Sequence, residues 1–154
     1  MTFLFLTTFP IDGGSVNVRR RAFINVYKSF GFHACQIGMN CVLTPIFTPA
    51  LDTQKGKERP TVQLIDVTVT KGVYSFNFDK LTQWIEMAKR VGIEYFELAH
   101  FYTQWGAKHA PKIMATVDGN YKKIFGWRTR ASSRRYKDFL TALSVELRKY
   151  LEER

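Results

Sequence analysis

The stretch from Asp79 to Phe101 constrains this 154-residue chain more than any other. Asp79 is a good N-cap, Leu81, Trp84, Ile85, Ala88 and Val91 recur at helical spacing behind it, and Gly92 ends the pattern. Directly afterwards, Glu94 to Phe101 (EYFELAHF) reads as a strand of aromatic and aliphatic residues. Upstream, the apolar run Met39 to Phe47 (MNCVLTPIF) reads as a buried strand whose pairing stops at Pro45, because proline has no N–H for a ladder. A strand, a helix and a strand in this order imply a βαβ unit with parallel strands. Such a sheet has to be covered on both faces. Two strands cannot achieve that alone, and a closed eight-stranded barrel typically takes about 250 residues. The chain is therefore expected to be a small open α/β layer or part of a barrel.

Between these strands lies a second pattern. Thr61 to Phe78 alternates apolar and polar residues around Lys71-Gly72, which predicts a β-hairpin insert. After the second strand, Tyr102 to Ser132 is rich in aromatics and glycine but lacks sustained periodicity, so it reads as a long loop, and a loop of that length in a compact domain is usually functional or wrongly assigned. The chain closes on a helix capped by Ser132 or Ser133. Its buried stripe is expected to be Tyr136, Phe139, Leu140, Leu143, Leu147, Tyr150 and Leu151. Near the start, Phe23, Val26, Tyr27 and Phe30 share one face of a further helix between Arg19 and Phe30.

Composition narrows the function classes. Hydrophobic residues make up 45% and aromatics 15%, which suits a folded core and also suits sugar sites, where flat rings stack on pyranose faces. The formal charge is +10, concentrated at Arg19 to Arg21 and at Lys122, Lys123, Arg128, Arg130, Arg134, Arg135 and Lys137. A nucleic-acid partner would use such charge, but no zinc-finger spacing or RNA-binding signature accompanies it, and a solvated basic face ranks above that reading. Cys35 and Cys41 make no disulfide framework and no CxxC, as expected of free thiols in a reducing compartment. The apolar start, Met1 to Pro10, lacks a basic n-region and is too short to span a membrane. A cytoplasmic location without membrane association is expected. His33, His100 and His109 form no HExxH or HxH, and Gly13-Gly14-Ser15 is followed by no phosphate-binding motif, so no metal or cofactor is expected.

Three segments then carry a resemblance: NCVLTPIFTPALDT (Asn40–Thr53), ERPTVQLIDV (Glu58–Val67) and GIEYFELAHFYTQWGAKHAPKIMATVDGNYKKIFGW (Gly92–Trp127). Together they resemble the catalytic domain of glycoside hydrolase family 123 and its uncharacterised relatives, and the run TQWGAKHAPKIMATVDG is highly specific. The resemblance implies a β-N-acetylgalactosaminidase-like enzyme on a TIM (β/α)8 barrel. Residues 37–154 would supply its first two β/α units with a β-hairpin insert, an incomplete barrel, and residues 1–36 a divergent, partly helical segment. Substrate-assisted hydrolysis is implied too: the substrate's acetamido oxygen attacks while an adjacent Asp-Glu pair orients it and protonates the leaving oxygen. This sequence contains no Asp-Glu dipeptide. The expectation is a truncated family member that is inactive alone, with self-association or pairing with a missing C-terminal half.

Barrel enzymes place their sites at the C-terminal ends of the strands. Thr44, before Pro45, would then stand at the end of the first strand, and His100, Gln104, Trp105, Lys108 and His109 at and beyond the end of the second, all facing one sugar-binding mouth. Each has a plainer alternative. His100 also suits a hydrogen-bonded strand residue, Trp105 a lid on the core, and Lys108 and His109 solvated loop positions. Trp84 reads as core and Trp127 as packing. Glu97 reads as a buried, partnered structural acid, and Asp118, in Val-Asp-Gly-Asn, as turn chemistry. The alternative functions are a non-catalytic carbohydrate-binding or interaction module and a basic nucleic-acid-binding protein.

Overall fold

The computed structural model describes residues 38–49 and 51–154. The helix expected at Arg19 to Phe30, the Arg19–Arg21 cluster, Cys35, His33 and the Gly13-Gly14-Ser15 turn lie outside the described residues. The described part is a mixed α/β unit. Its elements run β1 (Cys41–Pro45), β2 (Asp66–Thr70), β3 (Val73–Asn77), α1 (Asp79–Arg90), β4 (Tyr95–Ala99), β5 (Ile113–Val117), β6 (Asn120–Phe125) and α2 (Arg134–Glu152). They form two sheets, one pairing β1 with β4 and one ordered β3-β2-β5-β6. Among the described residues there is no closed barrel.

The βαβ unit is present as the sequence pattern implies. β1 and β4 are parallel, with Cys41 opposite Tyr95 and Pro45 opposite Ala99, and α1 connects back between them. The start of α1 differs from expectation. Asp79 is the first helical residue rather than the cap. Asn77, two residues earlier, accepts the Asp79 N–H through Oδ1 at 2.8 Å, while the Asp79 carboxylate adds negative charge where the helix dipole favours it. The other end follows the glycine rule. Gly92 takes φ +96°, its N–H donates to Lys89 O and the Ile93 N–H to Ala88 O, both at 3.1 Å, which is a Schellman stop.

The segment expected as a loop contains a second hairpin, β5–β6, turning at Asp118-Gly119 with φ of +47° and +87°. The Lys71-Gly72 turn has the same two positive φ values, +49° and +83°, so both are type I′ turns matched to strand twist. The hairpins join side by side through parallel pairing of β2 with β5 at Thr68–Thr116 and Val69–Val117. What reads as an isolated insert is therefore half of a four-stranded sheet. Two contacts lock the halves. Asp118 Oδ1 accepts the Lys71 N–H at 3.1 Å, and the Gln63 side chain acts as an extra rung, donating to Met114 O at 2.8 Å and accepting from Met114 N at 3.1 Å.

Helix α2 buries Tyr136, Phe139, Leu143, Leu147 and Tyr150, the spacing of one helical face. Leu151, expected on that stripe, is 46% exposed: Tyr150 already occupies this level of the face, stacking on Phe78 at 4.6 Å and bonding Thr82 through its hydroxyl at 2.9 Å. Ser133 takes the extended N-cap conformation, but its hydroxyl bonds no helix N–H. Arg134 and Arg135 oppose the helix dipole in the first turn. Arg134 lies 3.9 Å from Asp138, and Arg135 covers the Phe125 ring at 5.0 Å.

Two further expectations concern β4 and its exit. Glu97 is exposed rather than buried and partnered, as is Tyr95 two residues earlier on the same strand face. The fully buried Tyr136 donates its hydroxyl to the carbonyl of Phe101, fixing the chain as it leaves β4. Burial, and secondarily Tyr102, push this phenol far above its ordinary range, so it stays a donor at every working pH. Tyr136→Phe removes the donor and leaves the carbonyl short of a partner. Urea unfolding is expected to show a loss of about 1–2 kcal/mol.

Candidate functional site

The segments that follow the C-terminal ends of β1 and β4 are stitched together. The Thr53 N–H donates to Gln104 Oε1 at 3.0 Å, Gln104 Nε2 donates to Asp52 Oδ1 at 2.8 Å, and Trp105 Nε1 donates to Thr53 O at 3.0 Å. Thr103 closes the second segment on itself, its N–H donating to His109 O at 2.9 Å. A third strip, the exit of β6, joins through Glu58, which accepts from Trp127 N at 3.0 Å and from Lys123 Nζ at 2.9 Å. Together these strips border an open recess lined by Thr48, Glu58, Arg59, Gln104, Trp105 and Trp127, with Lys57 and Lys112 also in its lining.

Of the residues expected at the mouth, Gln104 and Trp105 line this recess. Trp105 is 56% exposed and holds φ +66°, so its ring is presented to solvent while its indole N–H is anchored. His109 stacks on Trp127, ring centroids 4.8 Å apart, and so backs the recess from behind. Lys108 is exposed, and its carbonyl accepts the Ala131 N–H. His100 follows β4 directly, across a cis peptide from Ala99. Thr44 is not brought to the recess: it is fully buried, and its hydroxyl accepts the Trp84 indole N–H at 3.2 Å within the α1–β1 core.

Residues not singled out from the sequence matter as much. Arg59 is only 9% exposed, held by its Nε donating to Leu51 O at 2.6 Å. Thr48 and Glu58 join it. Nothing in ERPTV separates a buried arginine from a surface one, and Trp127 reads as packing until Glu58 is seen to hold its backbone. Buried polar atoms without partners are uncommon in folded proteins and call for explanation. Here Thr48 Oγ1, His100 Nδ1 and His109 Nδ1 are such atoms, three of the four among the described residues.

The electrostatics follow from burial. Burial alone would raise the Glu58 pKa. The Lys123 hydrogen bond, the Trp127 N–H and the charges of Lys123 and Lys112 outweigh it and hold the carboxyl below its ordinary value. His100 is pushed down from its ordinary 6.5 by burial and then by the Arg59 charge, with the Thr48 backbone opposing. The folded chain thus keeps His100 neutral where the unfolded chain takes up a proton. Its contribution to stability is level above about pH 6.5 and falls as pH drops below that value, until the folded pKa is passed. His100→Gln is expected to flatten the dependence of Tm on pH between about 6.5 and 5, read as the difference between the two melting profiles. Among the described residues, no three His, Cys, Asp or Glu side chains converge as a metal site requires, and no helix is long and apolar enough to cross a membrane.

No curated protein matches the chain. Among solved structures, a family 123 glycoside hydrolase from Clostridium perfringens, described in a structural analysis of glycolipid glycan hydrolysis, is similar with a TM-score of 0.61 at 14% identity. That match covers 90% of this chain and 23% of that one, so the chain spans about a quarter of its solved relative and shares its fold there. Residues 21–154 match the family described as glycoside hydrolase 123, catalytic domain. With the match extending over most of its length, the chain belongs to the glycoside hydrolase 123 catalytic-domain family.

Proposed function

We propose that this chain provides a sugar-binding part of a glycosidase mouth and no catalytic carboxylate of its own. In this reading β1–α1 and β4–α2 are the first two β/α units of a (β/α)8 barrel, and the paired hairpins are elaborations of their βα loops on the face where such barrels bind substrate. The carrying observation is the convergence of Gln104, Trp105 and Trp127 on one recess at the ends of two parallel strands. Indole faces suit the C–H face of a pyranose, and amide groups suit its hydroxyls. The assigned substrate class is β-linked N-acetylhexosaminides of the N-acetylgalactosamine type, hydrolysed by a substrate-assisted route in the complete domain.

Such hydrolysis needs a carboxyl pair at the anomeric centre. The two acids nearest the recess are otherwise engaged: Glu58 holds Lys123 and the Trp127 N–H, and Asp52 holds Gln104. With no Asp-Glu dipeptide in the sequence, the 154-residue chain is expected to bind sugar without cleaving it. N-acetylgalactosamine should raise its Tm, and Trp105→Ala should abolish that shift, measured against the variant's own unliganded Tm because the bond to Thr53 O is lost as well. Aryl β-N-acetylgalactosaminide should not be turned over. Hydrolysis that persists through purification, or stabilisation unchanged in Trp105→Ala, would sink the reading.

The outer edges of β1 and β4 are unpaired among the described residues. Further strands, from a second copy or from the remainder of a barrel, are the partners this reading assigns to them. Cys41 is buried with a free thiol, which suits the cytoplasmic location we assign.

A further inference from the structure

Arg59 has a largely buried side chain whose terminal nitrogens reach the recess. Its Nε is held by Leu51 O, but among the described residues no side chain or carbonyl accepts from either terminal guanidinium nitrogen, and no carboxylate lies within ion-pair distance. Asp52 favours its charge from farther away, while its own Oδ1 is taken by Gln104 and the Thr53 N–H. Glu58 is neutralised by Lys123. Lys57 and Lys112 border the same recess, so its free charge is positive. A guanidinium held at Nε and open at its two terminal nitrogens is a ready donor to an anionic group.

We propose that the recess takes a sugar carrying an acidic group, a carboxylate or a sulfate, with Arg59 as its anchor. The inference rests on the sugar-binding reading above and adds the charge of the ligand. The two terminal nitrogens form a planar fork, the donor geometry that pairs with two oxygens of one anionic group. Trp105 and Trp127 line the same recess, so the ring bearing that group has an aromatic surface to lie on. Lys57 and Lys112 draw the anion in from the rim.

The test compares ligands that differ only in the acidic group, titrated into the 154-residue chain by calorimetry: methyl β-glucuronide against methyl β-glucoside, a 6-sulfated glucoside against the same glucoside, and sodium acetate and sodium sulfate as free ions. At low ionic strength at least one acidic glycoside is expected to bind tenfold or more tightly than the neutral one, with the preference shrinking in salt. The glucuronide and sulfate arms distinguish the two acid chemistries, and either one leading supports the proposal. Arg59→Gln should erase the preference. Should that variant not fold, Lys112→Gln at the rim is expected to weaken the acidic glycoside two- to threefold and leave the neutral one unchanged. Equal affinity for acidic and neutral glycosides overturns the inference while leaving sugar binding intact. Free acetate or sulfate binding as tightly as the glycosides overturns it as well, reducing the site to an ion site. N-acetylgalactosamine is titrated alongside: binding by it but by no acidic glycoside overturns the inference alone, and absence of binding by it and by every glycoside removes the reading beneath it as well.

Discussion

Phe139→Ala is expected to lower stability by about 3–5 kcal/mol and to leave the chain largely unfolded at modest urea concentrations. The fully buried Phe139 ring meets five others: Phe125 at 5.0 Å, Tyr74 at 5.2 Å, Phe76 at 5.8 Å, Phe47 at 5.9 Å and Tyr136 at 6.0 Å. Those partners come from both hairpins, from the segment after β1 and from α2 itself. Truncation removes the transfer free energy of the ring and leaves a cavity that four separate elements would have to close together. Phe139→Leu, which refills most of the space, should recover much of the loss. A cost below 1 kcal/mol for the alanine variant, measured by urea unfolding monitored by circular dichroism, would show that α2 does not hold the two hairpins to the rest.

The second large effect belongs to Glu58. Glu58→Ala is expected to cost about 1–3 kcal/mol, since it removes a charge-assisted bond to the part-buried Trp127 N–H and leaves that donor unmatched. The Lys123 ion pair is half exposed at the lysine and adds little by itself. The same carboxyl sets a pH signature. Its folded pKa lies below the ordinary 4.5, so its contribution is present above about pH 4.5 and is lost as pH falls through the folded value. Glu58→Gln should lack that acid limb in a pH series of melts. Gly126 supplies an independent check, because a Cβ there would overlap Glu58 Oε1. Gly126→Ala should reproduce part of the Glu58→Ala phenotype. If both variants melt as the parent does, the carboxylate is not the strut between the β1 exit and the β6 exit.

Much of the architecture was legible in the sequence where local chemistry and burial agree. Lys71-Gly72 announces a type I′ hairpin, Gly92 stops α1, and the stripe from Tyr136 to Tyr150 marks one face of α2. The β5–β6 hairpin escaped although it carries the same kind of signal, Asp118-Gly119 between IMATV and NYKKIF. Its second strand has four exposed residues before Ile124, so the alternation that marks a half-buried strand is absent. The side-by-side joining of the two hairpins has no local signature at all, since it depends on residues about fifty positions apart. The candidate site divides in the same way. Gln104 and Trp105 sit beyond a strand end and could be named from topology, whereas Thr44 near the end of β1 is claimed by Trp84 in the core. Arg59 was invisible because its burial comes from segments brought over it by tertiary packing.

The joining of the two hairpins has a consequence for how the mouth behaves. Loops at the ends of barrel strands commonly open and close independently, and ligand capture then includes the loss of that freedom. Here the segment from Thr48 to Arg59 runs straight into one hairpin and the segment from Thr103 to Lys112 into the other, and those hairpins share a sheet. The Gln63–Met114 rung and the turn-to-turn contact of Asp118 with Lys71 tie the bases of the two segments together. Under the proposed sugar-binding reading, the two segments are therefore expected to move with the joined hairpins as one body rather than as separate loops.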